Sequence, residues 1–176
     1  MIAKENYLKS LKDISCDTTN GVSLIKNDEI KMLCLDDMIS DISKDLCINA
    51  PSSCDAVYMK NDKIYVIEFK NRKYSQITSK DKRDIREKAY HSMLFLLHLE
   101  DNKSMVEIKD NATLFVVFKE MDEEASYKNL VETINRYANG NDHVIRCQLG
   151  KLKGKYYKEI YTIDKEVFES VYLSQL

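Results

Sequence analysis

The sequence has no run of 18 consecutive apolar residues, which is about the length that a helix needs to cross a bilayer. Its first residues also lack the apolar segment of a secretory signal peptide. We therefore expect a protein that does not engage a membrane and that resides in the cytoplasm.

Sequence patterns for several kinds of site are missing as well. The five cysteines are odd in number, widely spaced and without a Cys-x-x-Cys pair, which argues against a disulfide framework and a zinc site. We expect buried free thiols in a reducing compartment. The chain has only three histidines and no nucleophile elbow for Ser/His/Asp catalysis. Gly150 and Gly154 are not followed by the Lys-Ser/Thr of a P-loop, so nucleotide binding is weakly supported.

The chain as a whole lacks an excess of positive charge, with 27 Lys and Arg, 29 Asp and Glu and a net charge of −2. A protein that binds nucleic acid usually has a clear basic surplus. The basic residues are instead concentrated in two stretches. Residues 60–88 contain ten Lys/Arg against five Asp/Glu, and residues 146–158 contain five basic residues and no acid. These stretches are either solvated faces or binding sites for a phosphate backbone.

The most informative stretch is predicted to be a β-hairpin. Residues 54–59 and 64–69 are rich in β-branched and aromatic residues, and Asn61-Asp62 lies between them as a tight turn. A two-residue loop fixes the register, and counting back from it places Asp55 directly opposite Glu68. Both faces of the hairpin carry apolar residues, so we expect it to be buried on both sides.

Two carboxylates in facing positions repel each other and destabilise a sheet unless their charge is compensated. The two-residue period of a strand places Lys70 on the same face as Glu68. A divalent cation between Asp55 and Glu68 is the simplest explanation, and oxygen ligands of this kind suit Mg²⁺, with Mn²⁺ as the alternative ion. The competing interpretation is that Asp55 lies at a loop edge and that Glu68 and Lys70 form a solvated pair.

The pattern Asp55…Glu68-Phe69-Lys70, on a strand, a turn and a second strand, resembles the PD-(D/E)xK nuclease superfamily, which has the restriction-endonuclease-like fold. The resemblance implies a metal-dependent phosphodiesterase that acts on nucleic acid, with DNA favoured over RNA. It implies that Asp55, Glu68 and the backbone carbonyl of Phe69 hold the metal. Lys70 would then either orient the nucleophile or stabilise charge on the phosphorane. Many relatives pair to cut both strands, so a homodimer is an open alternative.

Further site residues are expected around this motif. The family often takes another acid from the helix before the sheet, and Asp37 or Asp41 would supply it unless both are surface acids. The helix after the motif often lends a polar residue, for which Glu87, Lys88 and His91 are candidates. Contacts to nucleic acid are expected from basic residues beside the motif and in a later turn: Arg72, Lys73, Lys151, Lys153 and Lys155.

The expected fold is α/β, or α+β in some schemes, with a central mixed β-sheet flanked by helices. The resemblance implies a restriction-endonuclease-like αβββαβ core at about 28–120, within a single domain of residues 1–176. An N-terminal helix (3–14) and a C-terminal helix and hairpin (121–176) are expected as elaborations. Periodicity and capping residues predict helices at 28–46, 79–99, 123–138 and after Asp164, and strands at 47–50, 113–118, 143–149 and 156–163. Residues 101–111 are expected to form a loop, with a short strand within it as an alternative. The strand at 113–118 should be parallel to its neighbour because it follows a crossover helix.

Two other functions stay open. A catalytically degenerate nuclease-like module would bind nucleic acid or a protein partner without cutting, which the small size and acidic net charge favour. An interaction protein would dock a partner through a sheet edge or a helix face. Binding of Mg²⁺ or Mn²⁺ distinguishes the enzyme from the degenerate module, because a ligand stabilises the folded state that binds it.

Overall fold

A six-stranded β-sheet forms the centre of the computed structural model, which describes residues 4–100, 103–121 and 145–176. The strands are β1 (Leu8–Ser10), β2 (Cys16–Asp17), β3 (Val22–Ser23), β4 (Lys31–Cys34), β5 (Ala56–Lys60), β6 (Lys63–Lys73), β7 (Ala112–Glu120) and β8 (Glu159–Asp164). Their order across the sheet is β1-β4-β5-β6-β7-β8, and β2 and β3 form a separate hairpin. Neighbours from β1 to β6 are antiparallel, whereas the β6–β7 and β7–β8 pairs are parallel.

Helical segments pack against both faces of this sheet. The helices are α1 (Leu11–Ile14), α2 (Leu35–Asp45), α3 (Ser79–Leu99), α4 (Met105–Asn111) and a C-terminal segment through Lys165–Val167, Phe168–Tyr172 and Leu173–Gln175. The expected α/β class, with a mixed sheet and flanking helices, is therefore confirmed. Among the described residues, no helix has the length and apolar character that crossing a bilayer requires.

The predicted hairpin is formed by β5 and β6, and it has the predicted register. Lys60 pairs with Lys63, and the pairing continues along both strands. The turn residues Asn61 and Asp62 have φ angles of 49° and 63°. A two-residue hairpin turn of type I′ needs this left-handed backbone at both positions, and Asn and Asp adopt it more readily than other residues with a Cβ.

Successive side chains of the central strands point to opposite faces of the sheet, so the apolar core has two layers. The layer beneath α3 and α4 contains Val66 of β6 together with Ile85 of α3. The layer on the opposite face contains Ile67 of β6 together with Phe168 of the C-terminal helical segment. The hairpin is thus buried on both sides, as predicted. Glu68 is two residues beyond Val66, so its side chain lies on the face that α3 covers.

The crossover from β6 to β7 also follows the prediction. Helix α3 begins after Thr78, whose hydroxyl accepts a hydrogen bond from the Asp81 N–H (3.2 Å), while the Asp81 carboxylate accepts one from the Thr78 N–H (2.9 Å). This reciprocal capping box satisfies two of the free N–H groups at the start of the helix. The buried strand β7 then pairs parallel to β6, as expected for a strand after a crossover helix.

The N-terminal region differs from the prediction. The expected helix 3–14 is replaced by a 3₁₀ turn (Lys4–Tyr7), strand β1 and the single turn of α1. Residues 31–34, predicted as part of a helix, form β4, and α2 begins only at Leu35. Strand β4 pairs with β1 on one side and with β5 on the other. Cross-strand pairing therefore prevails over the helical periodicity of this segment.

Residues 47–50 do not form the predicted strand. Cys47 adopts a left-handed conformation (φ 53°), and its N–H donates to the carbonyl of Lys44, while the Ile48 N–H donates to that of Ser43. These bonds cap the end of α2 and turn the chain away from an extended path.

Predictions nearer the C-terminus were correct only in part. The expected loop at 101–111 contains α4, which Ser104 caps. Residues 145–149 do not form the strand predicted at 143–149, and β8 begins at Glu159 rather than at residue 156. Asp164 caps the C-terminal helical segment, as predicted. The helix predicted at 123–138 lies outside the described residues.

Candidate functional site

Asp55 lies directly before β5, where it and its neighbour Cys54 contact three elements. Its carbonyl oxygen accepts a hydrogen bond from the Leu35 N–H at the start of α2 (3.1 Å), and its Oδ2 accepts one from the Phe69 N–H of β6 (2.6 Å). The N–H of the preceding residue, Cys54, donates to the Ser92 hydroxyl of α3 (2.8 Å). Hydrogen bonds with α2, β6 and α3 therefore fix Asp55 and its carboxylate in place.

Glu68 is fully buried in β6, where two lysine side chains contact it. Lys70 Nζ lies 2.7 Å from Glu68 Oε1 on the same face of the strand. Lys88 Nζ of α3 lies 3.1 Å from Oε1 and 3.2 Å from Oε2. Among these contacts only the one to Oε2 has hydrogen-bond geometry, so Oε1 is a buried oxygen that accepts no hydrogen bond.

Lys88 joins the two carboxylates, because its Nζ also lies 3.5 Å from Asp55 Oδ1. Burial by itself lowers the pKa of this lysine, but the charges of Glu68 and Asp55 outweigh burial and raise the pKa well above its usual range. The ammonium group therefore remains charged and compensates both acids.

Burial, followed by the charge of Glu68, raises the pKa of the Asp55 carboxyl to about 7. The ammonium group of Lys88 and the N–H of Phe69 oppose this rise in pKa without cancelling it. The Asp55 side chain remains 18% exposed. A carboxyl whose pKa is displaced by burial and by a specific charged partner is typical of a functional site.

A cleft of about 250 Å³ lies beside these residues. It is lined by Ile14, Ser15, Cys16, Asp17, Asp55, Phe69, Lys70, Asn71, Arg72, Ile77 and Asp81. The amide of Asn71 donates to the Val22 carbonyl (3.2 Å), which ties the β2–β3 hairpin to the end of β6. Between Lys70 and Lys73, β6 has one residue more than β7 opposite it, and this bulge redirects the side chains at the rim of the cleft.

Most of the accessory residues predicted on α2 and α3 lie away from Asp55 and Glu68. Each accessory acid contacts a basic side chain on the surface: Asp37 with Lys9 (2.5 Å), Asp41 with Lys44 (2.9 Å) and Glu87 with Arg83 (3.8 Å). His91 Nδ1 lies 3.1 Å from the Ser52 hydroxyl and holds the loop before β5. Of the accessory residues named from the sequence, Lys88 alone contacts the pair.

Asp36 is nearer to the site than the acids predicted from the same helix. Its Oδ1 accepts a hydrogen bond from the Ser53 hydroxyl (2.5 Å), and its charge adds to the rise in the pKa of Asp55. The sequence signal for Asp36 is its position two residues after the short strand β4, and the helical periodicity of residues 31–34 obscures that strand.

The sequence of α3 contains a pattern that distinguishes Lys88 from the other accessory candidates on that helix. Ile85, Ser92 and Leu96 are fully buried and recur at helical spacing. Lys88 falls on the same stripe, three residues after Ile85 and four before Ser92. A lysine inside a buried stripe needs a negatively charged partner, whereas the surface lysines of this helix can be solvated by water.

The basic residues predicted to contact nucleic acid fall in two places. Arg72 lines the cleft, where its Nη1 lies 3.8 Å from Asp81 Oδ1, and Lys73 follows at the end of β6 and pairs with Glu120 (2.8 Å). The remaining three lie in the turn before β8, away from the lining of the cleft: Lys151, Lys153 and Lys155.

A further group of cations, which sequence analysis did not single out, surrounds Tyr74 just after β6. Lys82 Nζ lies 5.5 Å and Arg146 Cζ 4.9 Å from the centre of the Tyr74 ring. Arg86 donates to the Cys147 carbonyl (3.0 Å). We call Lys82, Arg86 and Arg146 the basic cluster.

The basic cluster lies close to Lys70. Burial raises the pKa of the Cys147 thiol, and the positive charges of all three cluster residues and of Lys70 oppose that rise, so the four cations act on the same buried thiol. Within the described parts of the chain, no carboxylate forms an ion pair with a cluster residue. Nε of Arg146 is buried without a hydrogen-bond partner. In the part of the chain that the structure describes, the cluster is therefore a positive region without carboxylate partners, next to the motif.

The carboxylate pair fits a cation that takes few protein ligands. In residues 4–100, 103–121 and 145–176, no group of three or more His, Cys, Asp or Glu side chains is placed to hold a metal. Mg²⁺ commonly uses one or two carboxylates and completes its shell with water or phosphate. Asp55 and Glu68 match that number of carboxylates, with Phe69 beside them, and Oε1 of Glu68 is a buried oxygen that accepts no hydrogen bond.

Comparisons with protein-family models, with curated proteins and with solved structures find no match for this chain. Function must therefore be argued from the chemistry of the site itself.

Proposed function

We propose that this protein is a metal-dependent phosphodiesterase that acts on nucleic acid, with DNA favoured over RNA. The observation that carries the proposal is the convergence of Asp55, Glu68 and Lys70 beside a cleft. A pair of surface acids would not explain a fully buried Glu68, because a buried charge is costly unless partners compensate it. Charged groups held at such a cost are concentrated at functional sites.

The residues have distinct roles in this proposal. Asp55, Glu68 and the carbonyl oxygen of Phe69 would hold Mg²⁺ or Mn²⁺, which when bound supplies Lewis-acid activation of phosphate and water. Lys70 lines the cleft with its ammonium group 2.7 Å from Glu68. From there it either orients the nucleophile or stabilises the negative charge that develops on the phosphorane. A compact ammonium on a flexible stem suits both tasks.

The order of elements supports the resemblance to the PD-(D/E)xK nucleases. Helix α2, the antiparallel pair β5–β6, helix α3 and the parallel strand β7 occur in the same order as elements of that family's αβββαβ core. The match is partial, because only two strands lie between α2 and α3 and the short helix α4 comes before β7. The third strand next to the hairpin is β4, which precedes α2 in the chain instead of following it.

The surroundings of the cleft support a nucleic-acid substrate. Arg72 lies in the cleft, and the basic cluster adds three cations without carboxylate partners in the described structure. Phosphate groups are the natural partners of such cations. Tyr74 lies among them and offers an aromatic ring on which a base can stack.

The charge balance of the site favours a second candidate function, a catalytically degenerate module that binds nucleic acid or a protein partner without cutting. Lys70 and Lys88 already compensate Asp55 and Glu68. A site that no longer binds metal needs this compensation, because two uncompensated buried acids would destabilise the fold.

The deciding experiment is a cleavage assay with supercoiled, linear, single-stranded and branched DNA and with RNA, in Mg²⁺ or Mn²⁺. We expect the wild type to cleave at least one substrate and to stop when a chelator is added. Glu68→Gln and Lys70→Ala should each lower the rate by about 100-fold or more. Glu120→Gln, which removes an exposed ion pair with Lys73, is the matched control and should retain the rate.

Cleavage that survives both Glu68→Gln and Lys70→Ala would rule out this site. Thermal melting then separates the two candidate functions. An intact site should melt at a higher temperature with Mn²⁺ than with a chelator, because only the folded state binds the ion. A degenerate module should show the same melting temperature in both buffers and no cleavage.

A further inference from the structure

Lys88 lies outside the Asp…Glu-x-Lys motif, yet its ammonium group contacts both acids of the motif. Nζ is 3.5 Å from Asp55 Oδ1 and 3.1 Å from Glu68 Oε1. The next turn of α3 holds Ser92, which binds the Cys54 N–H and so fixes the helix against the start of β5. The ammonium group is therefore directed at the pair by a well-anchored helix.

These contacts bear directly on how a cation would bind. A divalent ion held by oxygens of Asp55 and Glu68 would lie next to the ammonium group of Lys88, and like charges at such short range repel strongly in a partly buried site. The side chain of Lys88 is 22% exposed and has a flexible four-carbon stem. It can leave the pair by rotating its own bonds, without movement of the helix.

We propose that Lys88 is a built-in competitor of the metal ion. In the metal-free site its ammonium group compensates Asp55 and Glu68, and it has to leave them when a divalent cation binds. This inference rests on the proposed function, because it requires a metal site at this pair. Two consequences follow: Lys88 stabilises the metal-free protein, and it weakens the binding of metal. Once displaced, the ammonium group is free to contact a phosphate oxygen of the substrate.

The first test measures Mn²⁺ affinity by calorimetry and by the electron paramagnetic resonance signal of free Mn²⁺. Lys88→Gln should bind Mn²⁺ at least about tenfold more tightly than the wild type, a difference of about 1.4 kcal/mol. Lys80→Gln is the matched control, because Lys80 is an exposed lysine of the same helix. Its affinity should stay within about twofold of the wild type.

The same variant has a second readout in melting temperature. With a chelator, Lys88→Gln should melt at a lower temperature than the wild type, because Glu68 loses a buried counter-ion. Saturating Mn²⁺ should recover most of that loss, since the ion replaces the missing positive charge. The control Lys80→Gln should show no difference that depends on the metal.

A third measurement needs only the wild type and decides the matter if Lys88→Gln does not fold. Lysines are acetylated with a water-soluble reagent, and the rate at each position is read by mass spectrometry. An ammonium group that leaves its carboxylates becomes more accessible, so Mn²⁺ should raise the rate at Lys88 several-fold and leave Lys80 unchanged.

The outcomes separate the two proposals. If neither the wild type nor Lys88→Gln binds Mn²⁺, the proposed function and the competitor role both fail. The competitor role is overturned if the wild type binds Mn²⁺, Lys88→Gln binds it no more tightly, and the acetylation rate of Lys88 does not change with Mn²⁺. The proposed metal site stands in that case.

Discussion

Asp55 and Glu68 are chemically similar acids in different surroundings. Glu68 is fully buried between the ammonium groups of Lys70 and Lys88, whereas Asp55 is partly open to the cleft and accepts a hydrogen bond from the Phe69 N–H. Burial and the nearby charge of Glu68 keep the Asp55 proton bound to a higher pH than usual. Neighbouring carboxyl groups whose environments differ in this way are suited to different roles in one reaction.

The raised pKa of Asp55 predicts a pH dependence of stability. Folding raises this pKa from 3.8 to about 7, so the folded protein holds the proton more tightly than the unfolded chain. The stability that this proton contributes is complete below about pH 4 and is lost as the pH rises to about 7. With a chelator present, the free energy of unfolding in urea should fall over this range more steeply for the wild type than for Asp55→Asn.

Asp41→Asn is the control for that comparison, because Asp41 is an exposed acid at the surface of α2. Its slope should match that of the wild type. A slope for Asp55→Asn equal to that of the wild type would contradict the raised pKa.

At the scale of elements, the hairpin supplies the two acids of the site and α3 supplies the lysine that contacts them. The two-residue turn at Asn61 and Asp62 fixes the register of β5 and β6, and that register brings the two acids together. Helix α3, capped by Thr78, then adds Lys88 from above the same face of the sheet. Substitutions that keep the two-residue turn and its register should therefore alter the stability of the hairpin without changing the chemistry of the site.

Substitutions of Asp62 test the requirement for a left-handed turn. Its φ of 63° suits glycine, which has no Cβ, so Asp62→Gly should raise the free energy of unfolding by about 0.5 kcal/mol. Asp62→Ala should lower it by about 1 kcal/mol, because alanine is strained in this conformation and cannot form local side-chain hydrogen bonds. The long ion pair with Lys103 is lost in both variants and so cancels in the comparison.

Urea unfolding measures the free energy of unfolding of Asp62→Gly, the wild type and Asp62→Ala, which should decrease in that order. Mn²⁺ affinity should be the same in both variants if the register is kept. An alanine variant as stable as the glycine variant would show that the turn does not impose the expected strain.

For the whole molecule, the distribution of charge bears more directly on the binding of a polyanion than the net charge does. The net charge is −2, yet the positive charges of Lys70, Lys82, Arg86 and Arg146 all act on the buried Cys147 thiol, and Lys70 and Arg72 line the cleft. Many of the acids, by contrast, are paired with lysine or arginine on the surface. A polyanion would therefore meet a local positive surface at the site despite the acidic chain.

This distribution predicts which basic residues bind nucleic acid. Lys82→Gln and Arg146→Gln should each weaken binding of DNA about equally across sequences, and each should reduce the slope of log affinity against log salt by about 1. Fluorescence anisotropy with a chelator present measures binding without cleavage. Lys155→Gln, in the turn before β8, is the comparison. A larger loss for Lys155→Gln than for the cluster variants would move the binding surface to that turn.

The amino-acid sequence by itself determined the hairpin with its register, the limits of α3, the parallel strand β7 and the grouping of Glu68 with Lys70. Apart from the pairing of β7, these features depend on interactions between residues close in the chain: a two-residue turn, the alternation of a strand and the cap of a helix. The parallel pairing of β7 follows from the crossover helix before it.

Tertiary structure alone decided that residues 31–34 form a strand, that Asp36 rather than Asp37 or Asp41 approaches the site, and that Lys88 contacts both acids. Lys88 is 33 positions from Asp55 in the chain, and their contact depends on how α3 packs across the sheet. No local pattern fixes that packing, because it results from the burial of apolar faces contributed by the whole chain.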